Sequence, residues 1–542
     1  MSRQARSTHL ALCLATAGLI AFHTNASTAQ ITAAAPALAL TAVGTNCEKL
    51  AGLTLPDATT ITTELVTAGA FTPKSGAPIT GLPRFCRVML SAHPAQDSDI
   101  RIEIWMPEST WNGRMAGLGS GGYAGSINYG SLGSGVRQGY AVAHTDMGMA
   151  SPSGKGATAF VDHPERWADW GYRATHEMTL LAKLLVKAYY GSDPKRSYFV
   201  GCSTGGEQGV MEAQRFPDDY DGIVSGAPAL NRTGVHESIL WTFAATQKNP
   251  ASYLPPTKIA LLSKAVVRAC DALDGVKDGL IADPRKCGFD PAALRCESKD
   301  SDSCLTEAQV ASAKAIYAGP VDRRTGRQIY PGLSMGSEFA WTSPVPSPKS
   351  SAPYAPIFQW VFGSQWDWRT FDFAKDVDTM SAQLAGTLNA NNPDLDAFRE
   401  HGHKLLLYHG WSDQLVPPQE TVNYYDAVVA REAGLKTNRQ PSEDAGELIR
   451  NSARLFMIPG MAHCSGGPGP GSFDSLSTVV KWVESGVAPD RLIVTAPKSA
   501  KSDEPHKRVV CPYPQAAQYR GSGDTDDPSA YQCVAPGQAP PP

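Results

Sequence analysis

The chain reads Ser197-Tyr-Phe-Val-Gly-Cys-Ser-Thr-Gly205 at the point that settles its fold class. The apolar start of this stretch is typical of a strand, and residues 206–216 after it have a helical pattern. The turn between them fits G-x-S-x-G, a strained strand-to-helix turn that exposes its serine, Ser203. A second match, around Ser334, has no apolar strand before it and no helix after it. The sequence therefore predicts a nucleophile elbow at Ser203 and not at Ser334.

Apolar runs alternate with helical patterns on both sides of the elbow, which indicates βαβ units that feed a largely parallel sheet. The predicted strands cover residues 100–104, 114–118, 139–145, 198–201, 222–225, 404–409, 455–458 and 492–495. The alternation is missing between residues 231 and 395, where four cysteines cluster, so we expect an inserted domain there. The sequence predicts an α/β fold whose core consists of residues 30–230 and 396–542, the second part including a C-terminal tail.

The N-terminus has the three-part layout of a secretory signal. Arg3 and Arg6 precede an apolar stretch at residues 10–22, and small residues follow at 27–29, which predicts a signal peptide of residues 1–29. The apolar stretch is shorter than the roughly 20 residues that a membrane span needs. We therefore expect a secreted or periplasmic protein with no membrane partner.

The charge balance excludes a nucleic-acid partner. The chain has 48 Lys and Arg against 52 Asp and Glu, a net charge of −4, with no long run of either sign. Proteins that bind nucleic acid or anionic membranes carry a basic patch or stripe instead. With 42% hydrophobic and 18% charged residues, the composition is that of a globular protein with a large core. It gives no indication of the oligomeric state.

An elbow serine needs a base and an acid that orients the base, and in this fold class they follow in the order acid, then histidine. Asp413 comes after the apolar run of residues 404–409, and His463 comes after the run at 455–458. Both therefore lie beyond the carboxyl ends of predicted strands, where an open α/β sheet builds its site. The sequence predicts a catalytic triad of Ser203, Asp413 and His463.

Acyl transfer also needs hydrogen-bond donors for the developing oxyanion. The elbow offers the backbone N–H of Thr204, and the glycine-rich loop of residues 117–125 offers a second N–H at Gly121 or Gly122. A phosphate-binding loop is the other use of such glycines, but the stretch has no G-K-[ST] and no G-x-G-x-x-G that opens a helix. We therefore expect an oxyanion hole made of Thr204 and one of the two glycines.

Ten cysteines remain when Cys13 is removed with the signal, an even number that suits an oxidising compartment. No C-x-x-C pair occurs, which argues against a zinc site. Local spacings predict four disulfides, Cys47–Cys86, Cys270–Cys287, Cys296–Cys304 and Cys511–Cys533. Cys202 and Cys464 are left without partners, and they adjoin the predicted nucleophile and base. A bridge between these two would hold their Cα atoms about 5.5 Å apart and keep Ser203 and His463 close together.

An acidic loop between the first two cysteines of the insert is a candidate calcium site. Hard oxygen ligands and tight turns suit Ca²⁺, although the spacing of an EF-hand is not met. The candidate ligands are the carboxylates of Asp271, Asp274 and Asp278 and the backbone carbonyls of Val276 and Leu280. On these residues alone, a solvated acidic turn explains the loop equally well.

The insert is also rich in aromatic residues. They are Trp341, Tyr354, Phe358, Trp360, Phe362, Trp366, Trp368, Phe371 and Phe373. Placed over Ser203, such side chains would line a cleft that favours a flat aryl acyl group. The alternative for most of these positions is that they form the insert's own core.

Three motifs together resemble the tannase and feruloyl esterase family, which also includes the mono(2-hydroxyethyl) terephthalate hydrolases. They are Gly201-Cys-Ser-Thr-Gly-Gly206, Gly410-Trp-Ser-Asp413 and Gly460-Met-Ala-His-Cys464, and the resemblance extends over nearly the whole mature chain. It implies an α/β-hydrolase fold with a lid inserted after the elbow unit and a triad of Ser203, Asp413 and His463. It further implies a Cys202–Cys464 disulfide and structural calcium held by Asp271, Asp274, Val276, Asp278 and Leu280.

The resemblance leaves the substrate open. Terephthalate-type members use a lid arginine for a free carboxylate, and the aromatic stretch of the insert offers only Arg369. We therefore expect esters of hydroxycinnamic acids such as ferulic acid, or of gallic acid, either free or attached to a plant polymer. A terephthalate-type hydrolase is the alternative within the family. A secreted, calcium-stabilised binding protein with a decayed site is an alternative of another class, and the complete triad argues against it.

Overall fold

A mixed nine-stranded sheet forms the centre of the computed structural model, which describes residues 44–74, 76–150, 156–348, 350–435, 445–496 and 506–537. The predicted signal peptide and Cys13 lie outside the described residues. The strands are β1 (Ala58–Val66), β2 (Gly69–Phe71), β3 (Ile79–Leu82), β4 (Phe85–Ala92), β5 (Ile100–Pro107), β6 (Arg114–Leu118), β7 (Ala141–Thr145), β8 (Arg196–Cys202), β9 (Gly222–Gly226), β10 (Lys404–Gly410), β11 (Ala453–Ile458), β12 (Leu492–Thr495), β13 (Lys507–Val510), β14 (Ala516–Tyr519) and β15 (Tyr531–Val534).

The strands of the main sheet follow the order β1-β4-β5-β7-β6-β8-β9-β10-β11. The pairs from β1 to β7 are antiparallel, and all pairs from β7 to β11 are parallel. Parallel neighbours require crossover connections, and the helices between β6 and β11 supply them. The predicted α/β fold is confirmed, and the sheet is parallel except at the end that β1, β4 and β5 form.

Helices cover both faces of this sheet. They are α1 (Tyr129–Arg137), α2 (Pro164–Ala168), α3 (Ala174–Tyr190), α4 (Thr204–Arg215), α5 (Arg232–Gln247), α6 (Pro256–Cys270), α7 (Glu307–Ala318), α8 (Ala355–Phe362), α9 (Asp376–Met380), α10 (Gly386–Leu388), α11 (Asp396–Glu400), α12 (Gln419–Leu435), α13 (Ala445–Arg450) and α14 (Ser475–Ser485). Successive strand residues point to opposite faces. Phe199 and Leu405 therefore join one apolar cluster, while Tyr198 and Leu406 join another.

The predicted insert, residues 231–395, enters the chain between two neighbouring strands. β9 and β10 pair directly, with Ile223 opposite Leu405, although the whole insert separates them in sequence. In the part of the insert that the structure describes, helices α5 to α10 occur and no named strand does. An apolar cluster that includes Leu262 and Trp341 forms its centre. All described residues belong to one compact unit, so the division into separate domains stays a prediction.

One predicted strand forms at the expected place but outside the main sheet. β12 pairs with β13 in a two-stranded antiparallel sheet, so the parallel sheet ends at β11. The burial pattern of β12 agrees with this position. Leu492 and Val494 are buried while Ile493 is exposed, as in a strand with one face in solvent. Among the described residues, no helix is both long and apolar enough to cross a lipid bilayer.

Five disulfides connect the ten cysteines of the described chain. They are Cys47–Cys86, Cys202–Cys464, Cys270–Cys287, Cys296–Cys304 and Cys511–Cys533. All five pairs agree with the predicted pairing. Four of them close short loops, whereas Cys202 and Cys464 are 262 residues apart in sequence.

Candidate active site

Ser203 occupies a sharp turn between β8 and α4. Its backbone has φ 63° and ψ −120°, a strained conformation for a residue with a side chain, of the kind that concentrates at functional sites. The turn also needs glycine at Gly201, because a Cβ there would lie 2.2 Å from the carbonyl oxygen of Gly205. The predicted elbow is therefore present at Ser203. Ser334, the second match to the motif, lies in a loop with no strand before it.

The three residues predicted as a triad meet at the carboxyl ends of the strands. Nε2 of His463 lies 2.9 Å from Oγ of Ser203, and Nδ1 of His463 lies 2.7 Å from Oδ2 of Asp413. A carboxylate only accepts hydrogen bonds, so Nδ1 carries the proton and Nε2 is free to accept one. This is the arrangement in which a histidine can remove the proton of a serine hydroxyl.

Asp413 is completely buried, and hydrogen bonds hold both of its oxygens. Oδ1 accepts from the backbone N–H groups of Leu415 and Val416 at 2.8 and 2.9 Å, and Oδ2 accepts from His463 and from Nε2 of His409 at 3.0 Å. Burial alone would raise the pKa of Asp413, but the charge of His463 and the hydrogen bonds from both histidines lower it well below its usual range. Asp413 is therefore an anion whenever the protein is folded near neutral pH.

The contact between Asp413 and His463 also changes the basicity of His463. Burial by itself lowers the pKa of His463, whereas the charge and the hydrogen bond of Asp413 raise it, and the net shift is upward. The imidazolium form that results from accepting a proton is thus stabilised by the buried carboxylate. His463 also has its backbone N–H bonded to Oε1 of Gln414 at 3.3 Å, which fixes its loop beside Asp413.

A disulfide joins the residues next to Ser203 and His463. The Cα atoms of Cys202 and Cys464 are 5.9 Å apart, close to the distance expected for such a bridge. Cys464, like Ser203, has a positive φ, of 65°. The bridge therefore connects two strained turns that carry the serine and the histidine.

The glycine-rich loop after β6 packs backbone to backbone against the elbow. A Cβ on Gly119 would lie 2.6 Å from Cα of Gly205, so no larger residue fits there. Farther along the loop, Oγ1 of Thr204 donates a hydrogen bond to the carbonyl oxygen of Gly122 at 2.8 Å. Thr204 is also the first residue of α4, where backbone N–H groups have no partner within the helix. The structure thus brings Thr204 together with Gly122, and Gly121 precedes Gly122 in the same loop.

The model of one protein family, "Tannase and feruloyl esterase", matches residues 86–534 of the chain. The chain belongs to the tannase and feruloyl esterase family. An uncharacterized esterase of Xanthomonas campestris pv. campestris is 36% identical over 528 residues, which cover 90% of this chain and 91% of that protein. A probable feruloyl esterase B-1 of Aspergillus oryzae is 34% identical over 480 residues, which cover 84% of this chain and 85% of that protein.

The fold comparison agrees with this membership of the tannase and feruloyl esterase family. The crystal structure of feruloyl esterase B from Aspergillus oryzae matches with a TM-score of 0.80 at 31% identity, and the match covers 90% of this chain and 99% of that one. The predicted α/β-hydrolase fold is therefore confirmed. The chain is a carboxylic ester hydrolase, as its family membership and these relatives show.

The acidic loop of the insert carries the oxygen atoms that the predicted calcium site would use. Asp271, Asp274 and Asp278 each use Oδ1 to accept backbone N–H groups of the loop itself, which leaves the second oxygens of Asp271 and Asp274 for a cation. The carbonyl oxygens of Val276 and Leu280 accept no hydrogen bond from the described residues. Hard oxygen donors of this kind suit Ca²⁺. In this structure Oδ2 of Asp278 contacts Nη2 of Arg508.

The acidic loop of the insert touches the loop that carries His463. The side chain of Leu280 packs against Gly460, where a Cβ would lie only 2.7 Å from Cδ2 of Leu280. Gly460 also has a positive φ of 69°. His463 follows three residues later in the chain, so the packing of the insert supports the turn from which this histidine projects.

Most of the nine aromatic residues of the insert pack into the apolar cluster that also contains Phe199 and Leu405 of the main sheet, and Trp341 lies in the cluster at the centre of the insert. Trp341, Phe358 and Phe371 are buried, and Phe358 stacks on Trp366 with 4.6 Å between the ring centres. Two others come close to the glycine-rich loop. The rings of Tyr354 and Trp360 lie 5.5 and 6.0 Å from the ring of Tyr123, and Tyr123 directly follows Gly122.

Sequence reasoning missed two residues that contact the site. His409 supports Asp413, and its polar side chain in the predicted strand directly after the apolar run of residues 405–408 was the signal that could have found it. Arg232 donates a hydrogen bond from Nη1 to Oγ1 of Thr204 at 3.0 Å. Nothing in the local pattern around Arg232 marks it, because its contact with Thr204 depends on how the tertiary fold places the start of α5 relative to α4.

Proposed function

We propose that this enzyme hydrolyses esters through a covalent acyl-enzyme on Ser203. Oγ attacks the ester carbonyl carbon while its proton passes to Nε2 of His463. The tetrahedral intermediate then collapses, and the alcohol leaves with the proton from His463. Water attacks the acyl-enzyme by the same route, with His463 again as the base. The observation that carries this proposal is the 2.9 Å contact between Nε2 and Oγ, with Nδ1 held by Asp413.

The negative oxygen of the intermediate needs donors that are already in place. We assign the backbone N–H of Thr204 to this role, because it lies at the start of α4 next to the nucleophile. The second donor is the N–H of Gly121 or Gly122 in the loop that packs against the elbow. The hydrogen bond between Thr204 and the Gly122 carbonyl supports this assignment, because it keeps the loop next to the turn.

The substrates that we propose are esters of aromatic acids of the feruloyl, hydroxycinnamoyl or galloyl type. The names of the family and of its relatives support this class. Terephthalate esters are less well supported, since Arg369 is 67% exposed and pairs with Asp367 instead of facing the site. The half-buried ring of Tyr354, 5.5 Å from the ring of Tyr123, provides aromatic surface beside the glycine-rich loop.

A comparison of two serine variants tests the mechanism. Ser203→Ala removes the nucleophile and should abolish turnover of methyl ferulate, methyl gallate and mono(2-hydroxyethyl) terephthalate, with the folded structure retained. Ser334→Ala is the matched control, because it lies in the second copy of the motif and should leave the rates unchanged. Near wild-type turnover by the Ser203 variant, or its loss in the Ser334 variant, would show that the nucleophile is wrongly assigned.

The rates of the unaltered enzyme on the same three esters test the substrate class. We expect methyl ferulate or methyl gallate to have the highest kcat/KM. A higher kcat/KM for mono(2-hydroxyethyl) terephthalate would instead assign the enzyme to the terephthalate type. Because all three are hydrolysed at Ser203 in this account, the ranking is independent of the serine variants.

We also propose that calcium stabilises the insert. The carboxylates of Asp271 and Asp274, that of Asp278 once it leaves Arg508, and the carbonyls of Val276 and Leu280 would hold the ion, which would neutralise the carboxylates and fix the loop. EDTA should lower Tm, and Ca²⁺ should restore it. Asp274→Asn should weaken this response, whereas Asp302→Asn, elsewhere on the surface of the insert, should not. An unchanged Tm, together with no calcium in an elemental assay of untreated protein, would show that the loop does not bind calcium.

We also propose that the protein is exported from the cytoplasm. The layout of residues 1–29 and the five disulfides support secretion or transfer to a periplasm. N-terminal sequencing of the active protein, recovered outside the cytoplasm, should find a first residue near position 30. Active protein that is found only in the cytoplasm, with its cysteines reduced, would contradict this part.

A further inference from the structure

Arg232 is a buried cation beside the elbow. It is the first residue of α5 and is only 4% exposed. Its guanidinium donates from Nη1 to Oγ1 of Thr204 at 3.0 Å and from Nη2 to Oε2 of Glu207, and it lies 4.7 Å from the centre of the Trp170 ring. Glu207, on α4, is 1% exposed. Burying such a charge pair is costly unless its contacts compensate.

The hydroxyl of Thr204 lies between Arg232 and the glycine-rich loop. Oγ1 is 3.0 Å from Nη1 of Arg232 and 2.8 Å from the carbonyl oxygen of Gly122. A guanidinium has donors only, so Oγ1 accepts from Arg232 and gives its own proton to Gly122. A hydrogen bond from an ionised donor is stronger than a neutral one, and successive hydrogen bonds polarise one another. The direction of both bonds is therefore fixed.

These contacts orient the peptide groups that carry the second oxyanion donor. The carbonyl of Gly121 accepts a hydrogen bond from the N–H of Ala124 at 2.8 Å, which fixes the peptide plane that also contains the N–H of Gly122. The carbonyl of Gly122, in the next peptide, is held by Thr204. With the peptide planes on both sides of Gly122 fixed, the N–H of Gly122 keeps its direction relative to the N–H of Thr204 in the elbow.

We propose that Arg232 is a positioning residue for the oxyanion hole, acting through the hydroxyl of Thr204 on the carbonyl of Gly122. This inference rests on the proposed function, because it requires the reaction to occur at Ser203. Thr204 then has two roles, since its N–H binds the oxyanion and its hydroxyl sets the position of the second donor. This role does not require Arg232 to bind a substrate carboxylate, because Nη2 is already bonded to Glu207 and Nη1 to Thr204.

Two substitutions of Thr204 test the role of its hydroxyl. Thr204→Val keeps the shape of the side chain and the backbone N–H but removes both hydrogen bonds. Loss of one oxyanion-hole donor lowers kcat by about 100- to 1,000-fold, so misplacing a donor should lower it by roughly 10- to 100-fold. The measurement is kcat and kcat/KM with 4-nitrophenyl acetate. Thr204→Ser retains the hydroxyl and should restore most of the loss.

A second readout separates positioning from general damage. Phenylboronic acid forms a tetrahedral adduct on a serine Oγ, so its Ki reports the oxyanion hole directly. In Thr204→Val the rise in Ki should match the loss in kcat/KM when both are measured at temperatures well below Tm, which should itself fall because Arg232 and the Gly122 carbonyl lose a buried partner. A normal kcat in Thr204→Val, or an equal loss in Thr204→Ser, would overturn the role of the hydroxyl. So would a loss of kcat with an unchanged Ki for the boronic acid.

The role of Arg232 is tested with its partner, because a lone substitution would leave Glu207 buried and unpaired. The double variant Arg232→Met/Glu207→Leu should lower kcat, and adding Thr204→Val to it should give no loss beyond that of Thr204→Val alone. A wild-type kcat in the double variant, or fully additive losses, would overturn the inference. Activity in Ser203→Ala would instead refute the proposed function, whatever the Thr204 variants show.

Discussion

Oδ2 of Asp413 accepts a hydrogen bond from Nε2 of His409 at 3.0 Å. The donor is completely buried, and its Nδ1 lies 2.8 Å from Oγ1 of Thr421, which fixes the ring. Because the same Oδ2 also binds His463, Asp413 is held between two imidazoles. His409 is thus a positioning residue that acts on His463 through the carboxylate.

We expect His409→Phe to lower kcat by about tenfold or more. The variant removes a hydrogen bond to a buried anion, which is worth about 1.5–3 kcal/mol, and leaves His463 as the only side-chain donor to Oδ2 among the described residues. His409→Gln can still donate to Oδ2 and should lose less. Steady-state kinetics and urea unfolding measure the two effects. A wild-type kcat in His409→Phe, with normal stability, would show that Asp413 needs no second donor.

The pH profile should reflect the raised pKa of His463. Protonated His463 cannot accept the proton of Ser203, so kcat/KM should increase with pH through this pKa, which lies above the usual value of about 6.5. Asp413→Asn removes the charge that raises the pKa. Its acid limb should therefore move to lower pH, and kcat should fall by about 10⁴-fold. An acid limb at the same pH in both proteins would contradict the electrostatic role of Asp413.

The Cys202–Cys464 bridge should matter for kcat more than the Cys511–Cys533 bridge does. Removing either pair lowers stability, by roughly 5–6 kcal/mol for a loop of 262 residues and roughly 3 kcal/mol for one of 22 residues in the loop-entropy model. Only the first pair adjoins Ser203 and His463. When kcat is measured at temperatures well below Tm, only the loss of this pair should therefore lower it. Equal kcat values for the two double Cys→Ser variants would contradict this.

Two glycines with almost the same backbone provide a matched test of the contact below His463. Gly460 and Gly486 have φ values of 69° and 67°, and alanine at either position is strained by about 1–2 kcal/mol. A Cβ on Gly460 would also meet Leu280 at 2.7 Å, whereas one on Gly486 meets nothing within 4 Å. Both variants should lose stability, but only Gly460→Ala should also lose kcat. Equal kcat values would show that the His463 loop tolerates the displacement.

The sequence was sufficient for the parts of the structure that local patterns encode. The elbow at Ser203 was predictable because strand, turn and helix are adjacent in the chain. Asp413 and His463 were predictable because each follows an apolar strand in a parallel sheet. The pairing of β12 was not, since its alternating pattern specifies one buried face but not which strand lies beside it.

Contacts between distant elements were the part that sequence patterns could not supply. Arg232 reaches Thr204 only because α5 begins close to the start of α4, and no period or motif encodes that approach. In the sequence, His409 is one residue of a buried strand. Its contact with Asp413 is formed only in the folded chain, because the turn of residues 410–413 places Asp413 next to it. For the second oxyanion donor, the glycine run predicts which loop supplies it. The run does not predict the direction of each N–H, so the sequence could not choose between Gly121 and Gly122.

The order of the cysteines along the chain has a consequence for folding. Cys202 precedes Cys270 to Cys304, and its partner Cys464 comes only after them. If thiols oxidise while the chain enters an oxidising compartment from its N-terminus, Cys202 meets those four cysteines before Cys464 arrives. Bridges formed then with Cys202 are non-native and must be exchanged through mixed disulfides. Maturation of this enzyme should therefore depend on a catalyst of disulfide isomerisation, and not only on an oxidant.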